Sequence, residues 1–303
     1  MTKLQRYLAE EIAVDHADGI VSRREALRRL GLLGLTLASA TALLAACAKD
    51  ETPGAQTSPT PTASSTSPAA SPAPTGAVAT QAIEFPGSSG RTLMGAWAAA
   101  AQPKGGVLVI HENRGLTDHI RSVAGRFAGS GYSAIALDLL SEEGGTASLG
   151  GEAEAMAALN AAPESRFVAD MKAALTELGK RVPGGKLAQI GFCFGGAMTW
   201  LMLHSGEKRL AAAAPFYGTT PDNPDFSDAE AAVLGVYAEL DSRVNATRDE
   251  ATQALRSAGL MHEIKTYPGV DHAFFNDTGA RYSATQARRA YQDVLDWFGT
   301  HLG

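Results

Sequence analysis

The thiol of Cys193, set between glycines, is the group in this chain best placed to do chemistry. The segment Gly191-Phe192-Cys193-Phe194-Gly195-Gly196 follows the run Lys186-Leu187-Ala188-Gln189-Ile190 and precedes Ala197-Met198-Thr199-Trp200-Leu201-Met202. The first run reads as a buried strand and the second as a helix. A strand that becomes a helix within one residue forces strained angles on the turn residue, and flanking glycines let both elements pack closely around it. Such a nucleophile elbow holds its side chain clear of the sheet and aims the first helical N–H groups at whatever the side chain attacks. Most such elbows carry serine; cysteine here points to covalent catalysis through sulfur. The competing reading is a buried structural cysteine in an ordinary strand–helix turn.

A nucleophile needs a base. In chains with this kind of elbow the order is nucleophile, acid, histidine. Of the seven histidines, His262, His272 and His301 lie far enough beyond Cys193. His262 opens the strand-like run His262-Glu263-Ile264-Lys265-Thr266-Tyr267, which commits its side chain to a sheet face, and His301 is close enough to the C-terminus to fray. His272 lies in the loop after that last strand, where open α/β sheets carry their catalytic groups. The acid is expected at the end of the preceding strand, Val233 to Leu240, which puts Asp241 beside one nitrogen of His272 while the other faces the sulfur. The plain alternative for Asp241 is a cap on the following helix. Glu239 is the competing acid.

The strand Gly106 to His111 leads into the loop Glu112-Asn113-Arg114-Gly115-Leu116. In this architecture that loop supplies one oxyanion-hole N–H and the residue after the nucleophile supplies the other, which selects Asn113 and Phe194. His111-Glu112 has no second histidine at metalloprotease spacing, so no metal site is expected.

These residues need a scaffold to bring them together, and the rest of the chain reads as one α/β domain. Val78 to Phe85 and Arg91 to Ala100 form an expected antiparallel hairpin at a sheet edge. Strands expected at 106–111, 132–137, 186–192, 211–217, 232–240 and 262–267 alternate with helical stretches near 118–130, 151–180, 195–204, 245–259 and 281–300. Alternation of this kind implies a mainly parallel central sheet with helices on both faces, and together with the elbow it makes the α/β-hydrolase fold the expected architecture. The spacing leaves no room for a large lid domain, so the cleft is expected to be open, bordered by 141–165 and 218–230.

The stretches Val109-Ile110-His111-Glu112-Asn113-Arg114-Gly115-Leu116, Ala136-Leu137-Asp138-Leu139-Leu140, Gly191 to Gly196 and His272-Ala273-Phe274-Phe275-Asn276-Asp277 resemble the dienelactone hydrolases, or carboxymethylenebutenolidases. The resemblance spans nearly all of residues 80–303. It implies a Cys-His-Asp triad at Cys193, His272 and Asp241, an oxyanion hole from the N–H groups of Asn113 and Phe194, and a Glu112 that contacts the resting thiol and helps activate it. Family members that degrade aromatics hold the substrate carboxylate with two arginines. One such position is Asn276 here, and no Lys or Arg occurs between Arg126 and Arg166. A small anionic lactone would then lose charge-assisted hydrogen bonds worth roughly 1.5–3 kcal/mol each.

The first 47 residues read as an export signal. Ser22-Arg23-Arg24-Glu25-Ala26-Leu27-Arg28-Arg29 is a twin-arginine pattern led by Arg23 and Arg24, and an apolar run from Leu30 to Ala46 follows it. The run ends Leu44-Ala45-Ala46-Cys47, which looks like a lipoprotein cleavage box, with Cys47 the residue to be acylated. The expected location is outside the bacterial cytoplasmic membrane, lipid-anchored, with the twin-arginine machinery as a partner. A retained single-span anchor and a soluble secreted product are the alternatives. Residues 48–77 read as a disordered tether, since 17 of the 24 positions from Thr52 to Thr75 are Ser, Thr or Pro. The catalytic domain is then 78–303.

With one cysteine in the box and the other in the elbow, no structural disulfide is expected. A net charge of −6 argues against nucleic-acid binding, and no phosphate loop or dinucleotide fingerprint implies a cofactor. The expected function is a lactone- or ester-cleaving hydrolase acting on a small molecule through an acyl-cysteine intermediate. A non-catalytic binding lipoprotein on the same fold and a thiol redox protein are the competing classes.

Overall fold

Runs rich in Val, Ile, Leu and Ala, spaced by amphipathic stretches, build one mixed sheet in the computed structural model, which describes residues 3–46 and 76–303. Cys47 and residues 48–75, the expected acylation site and nearly all of the tether, lie outside the described residues. The strands are β1 Gln81–Pro86, β2 Thr92–Ala98, β3 Gly106–Ile110, β4 Ser133–Asp138, β5 Leu187–Phe192, β6 Leu210–Phe216, β7 Ala232–Ala238 and β8 His262–Tyr267. Their order is β1-β2-β4-β3-β5-β6-β7-β8. The β1–β2 and β2–β4 pairings are antiparallel, and all others are parallel. β3, β4, β5 and β7 are buried along their whole length, as strands covered on both faces must be. This is the α/β-hydrolase fold.

The helices are α1 Lys3–Ala17, α2 Arg23–Leu32, α3 Leu37–Ala46, α4 Asp118–Gly129, α5 Glu152–Ala161, α6 Glu164–Arg181, α7 Phe194–His204, α8 Ser242–Asn245, α9 Arg248–Ser257 and α10 Ala284–Leu302. Two differ from the expected pattern. The stretch 151–180 divides into α5 and α6 because Pro163 lacks an N–H and pushes Ala162 into an extended conformation (φ −80°, ψ 141°). The C-terminal end does not fray: α10 runs to Leu302, with the His301 ring 4.6 Å from that of Trp297.

The larger difference is at the N-terminus. Residues 3–46, expected as a segment apart from the fold, form three helices packed on the catalytic unit. Helical spacing puts Leu4, Tyr7, Leu8, Glu11 and Asp15 on one face of α1, and all five are buried together with Ile12. Arg28 and Arg29 of α2 pair with Glu154 and Glu152 of α5. The apolar run is broken by Gly34 (φ 85°), which leaves α3 only 10 residues long. No helix of the described residues is long and apolar enough to cross a membrane. No lid is inserted in the domain, but the cleft is not open as expected: α1 lies across it.

Candidate active site

The elbow between β5 and α7 has the strain that its glycines suggest. Cys193 has φ 55° and ψ −115°, a conformation that costs an ordinary side chain on the order of 1–3 kcal/mol. Close packing holds it there. A Cβ on Gly191 would sit 2.0 Å from the Gly195 carbonyl oxygen, and one on Gly195 would sit 2.4 Å from that of Ile110. Both obstacles are backbone, so neither position has room for a side chain.

His272 and its partner Asp241 meet beside this sulfur. His272 Nδ1 lies 2.6 Å from Asp241 Oδ2, both side chains being buried. With Asp241 ionised, Nδ1–H donates and Nε2 is left facing the thiol. Asp241 Oδ1 accepts from the Val244 N–H at 3.1 Å, so this residue both caps α8 and orients the imidazole. Glu239, its competitor, is exposed and accepts from the Gly269 N–H at 2.7 Å. His262 lies at the start of β8 with Nδ1 2.7 Å from the Leu260 carbonyl oxygen, away from the site. Asn113 is buried and lines the same cavity as Cys193 and Glu112, and Phe194 supplies the first residue of α7. His111 is committed elsewhere. Its Nε2 accepts from the Leu139 N–H at 3.1 Å, so Nδ1–H donates to the Glu112 carbonyl oxygen at 2.6 Å.

The implied resting contact between Glu112 and the thiol is not the one found. Glu112 Oε2 accepts from Asn276 Nδ2 at 2.6 Å, so the side chain at the expected arginine position holds the acid. The thiol instead donates to Glu11 Oε1 at 3.4 Å and accepts from the Tyr7 hydroxyl at 3.3 Å, both from α1. Glu11 Oε1 lies 3.3 Å from His272 Nε2, without the alignment of a hydrogen bond. Glu11 Oε2 pairs with Arg243 at 2.9 Å, and that guanidinium lies over the Tyr7 ring, 4.4 Å from its centre. Sequence reasoning missed Tyr7, Glu11 and Arg243. The 3.6-residue periodicity of Leu4, Tyr7, Leu8, Glu11 and Ile12 was the signal that α1 packs on something.

Charge follows this geometry. Burial pushes the Cys193 thiol up, the Glu11 carboxylate pushes it further, and His272 pulls against both, with a net rise. At His272 burial disfavours the imidazolium, but the carboxylates of Glu11 and Asp241 outweigh it and hold the ring well above the usual histidine range. Burial also opposes ionisation of Asp241, yet His272 and Arg243 keep its carboxyl below the usual range. Among the described residues, Glu11, Cys193 and His272 form the one cluster whose ligand atoms, all within 4.8 Å, could suit a metal ion. Glu11 and His272 are already engaged by Arg243 and Asp241.

Residues 93–302 match the dienelactone hydrolase family. A protein of Escherichia coli O157:H7 assigned as a carboxymethylenebutenolidase is 34% identical over 212 residues, covering 65% of this chain and 77% of its own. One from Saccharolobus solfataricus with the same assignment is 28% identical, with 69% and 95% covered. Among solved structures, a Klebsiella pneumoniae protein described as a dienelactone hydrolase superposes with a TM-score of 0.63 at 30% identity, covering 73% of this chain and 99% of its own.

Proposed function

We propose a cysteine-dependent mechanism for this chain, which belongs to the dienelactone hydrolase family and is a hydrolase of esters or lactones. The observation that carries the reading is the imidazole of His272, held through Nδ1 by Asp241 and with Nε2 within 4.8 Å of a sulfur on a strained elbow. Cys193 Sγ attacks the acyl carbon and its proton passes to His272 Nε2. The carbonyl oxygen takes up the negative charge between the N–H groups of Asn113 and Phe194. The C–O bond breaks, and the alcohol leaves with the proton from His272. Water then gives a proton to the same nitrogen and attacks the thioester, which releases the acid and restores the thiol. Asp241 keeps the ring in the required tautomer, and Glu112 adds negative charge beside the sulfur. No step asks for a cofactor.

Neutral short-chain esters and lactones fit this site as a substrate class, because Asn276 is spent on Glu112 where a carboxylate-binding arginine would stand. The test is to trap the intermediate. Residues 76–303 mixed with p-nitrophenyl acetate should release a burst of nitrophenol close to one per site, with an acetyl group on Cys193 by mass spectrometry. A burst that persists in Cys193→Ala removes the assignment.

The segment before the tether supports export. Arg23 and Arg24 stand exposed in the first turn of α2, with Ser22 capping it, where translocation machinery can read them. In this reading the signal is cleaved before Cys47, which is acylated and holds the enzyme on the outer face of the cytoplasmic membrane. Cys47→Ala, or Arg23→Lys with Arg24→Lys, is expected to move the protein out of the membrane fraction. If detergent is still needed to release Cys47→Ala, the lipid anchor is ruled out.

A further inference from the structure

An ester cannot reach Cys193 while α1 is in place. The thiol and His272 are each only 2% exposed. The cavity left beside them, lined by Glu11, Asn113 and Asn276 among others, has a volume of about 40 Å³. That is space for a water or two, whereas small-molecule sites run to roughly 300–1,000 Å³. Glu11 Oε1, 3.4 Å from the sulfur and 3.3 Å from His272 Nε2, stands where an acyl group under attack would have to be. The occupant is anchored at several points. Arg243 grips both the Glu11 carboxylate and, at 2.9 Å, the Tyr7 carbonyl oxygen. Arg281 pairs with Asp15 at 2.9 Å and Asp18 at 2.6 Å. Leu8, Ile12 and Ala13 are fully buried or nearly so beneath them. Acidic helix face and basic cleft rim match in charge as well as in shape.

We propose that α1 is an intramolecular inhibitor: docked, it fills the acyl site and holds Cys193 as a hydrogen-bonded thiol, and turnover requires that it leave. This rests on Cys193 as the nucleophile. Tyr7 and Glu11 thus contact the reacting groups without taking part in the reaction. Their position explains how a hydrolase can be complete yet closed as long as its N-terminal segment is attached. Any cut between residues 46 and 75 severs α1 from the catalytic unit, and the cleavage expected before Cys47 is one such cut. The enzyme would then be opened by the step that releases its signal.

The full chain, carrying Cys47→Ser so that Cys193 is the sole thiol, with a specific protease site inserted after residue 60, separates the possibilities. Iodoacetamide alkylation of Cys193 and hydrolysis of p-nitrophenyl acetate are measured before cutting, and after cutting and size-exclusion chromatography. A second, uncut protein carries Leu8→Asp and Ile12→Asp, which oppose docking without touching the catalytic unit. Both rates are expected to rise by about tenfold or more in the cut chain and in the uncut double variant, as a population moves from closed to open. Unchanged alkylation in both overturns the closure. Faster alkylation with slower hydrolysis overturns the inhibitor and makes Tyr7 or Glu11 part of the working site. Faster alkylation with no hydrolysis in any form supports closure by α1 and overturns the cysteine mechanism instead.

Discussion

Replacing His272 by alanine is expected to lower ester turnover by about 10²–10⁴-fold, the usual contribution of a general base. The reason is its connectivity. Nδ1 is fixed at 2.6 Å by Asp241, and Nε2 is the one titratable nitrogen beside the sulfur. The Tyr217 ring, 5.1 Å away and edge-on, holds the imidazole in place and limits collapse of the site in the variant. In the proposed mechanism nucleophile and base act as a unit, so adding Cys193→Ala to His272→Ala should cost little more than either change alone. His262→Gln, at the start of β8, should retain turnover. Comparison of kcat/KM for these proteins in the same form, intact or cut, decides the matter. Equal losses at His262 and His272 would overturn the choice of base.

A loss of similar size is expected for Asp241→Asn. An amide there can still accept from the Val244 N–H, so the α8 cap and the melting temperature should be largely kept. What changes is the imidazole. An NH₂ group offered to Nδ1 selects the tautomer with the proton on Nε2, which cannot then take one from the thiol; roughly 10³-fold or more of the rate depends on that choice. The sign of the pH effect follows. Burial alone would lower the His272 pKa, and the Glu11 and Asp241 carboxylates raise it well above the ordinary value. Removing the Asp241 charge therefore moves the pKa down and shifts the acid limb of the pH–rate profile to lower pH. The matching change at exposed Glu239, to glutamine, should do neither. A silent Asp241→Asn together with an impaired Glu239→Gln would reverse the two assignments.

Much of this arrangement was legible in the chain because its signals are local. The glycines around Cys193 announce a tight turn, and the structure shows why: a Cβ at either Gly191 or Gly195 would enter backbone. The ends of the parallel strands fell within a residue or two because buried parallel strands are short apolar runs with sharp limits, whereas the exposed edge strand β1 begins at Gln81 rather than Val78. Asp241 and His272 were found by their order after the elbow, which the topology of the sheet imposes. Pro163, by contrast, was overlooked as a break between α5 and α6. The use of Asp241 as a cap was legible, but not that one carboxylate could serve both α8 and His272.

The amino-acid sequence by itself determined the fold, the elbow and the order of its partners, since each depends on residues near one another in the chain or on rules of strand connection. The tertiary structure alone decided what covers the site. Tyr7 and Glu11 lie 186 and 182 positions from Cys193, and no local pattern links residues so far apart. A 15-residue amphipathic helix has a face that must be buried somewhere. Which groove receives it depends on where Arg243 and Arg281 stand once the sheet has formed. The same distance explains Glu112: its backbone position was legible, but its partner Asn276, 164 positions on, and the thiol's turn toward α1 arise only from packing.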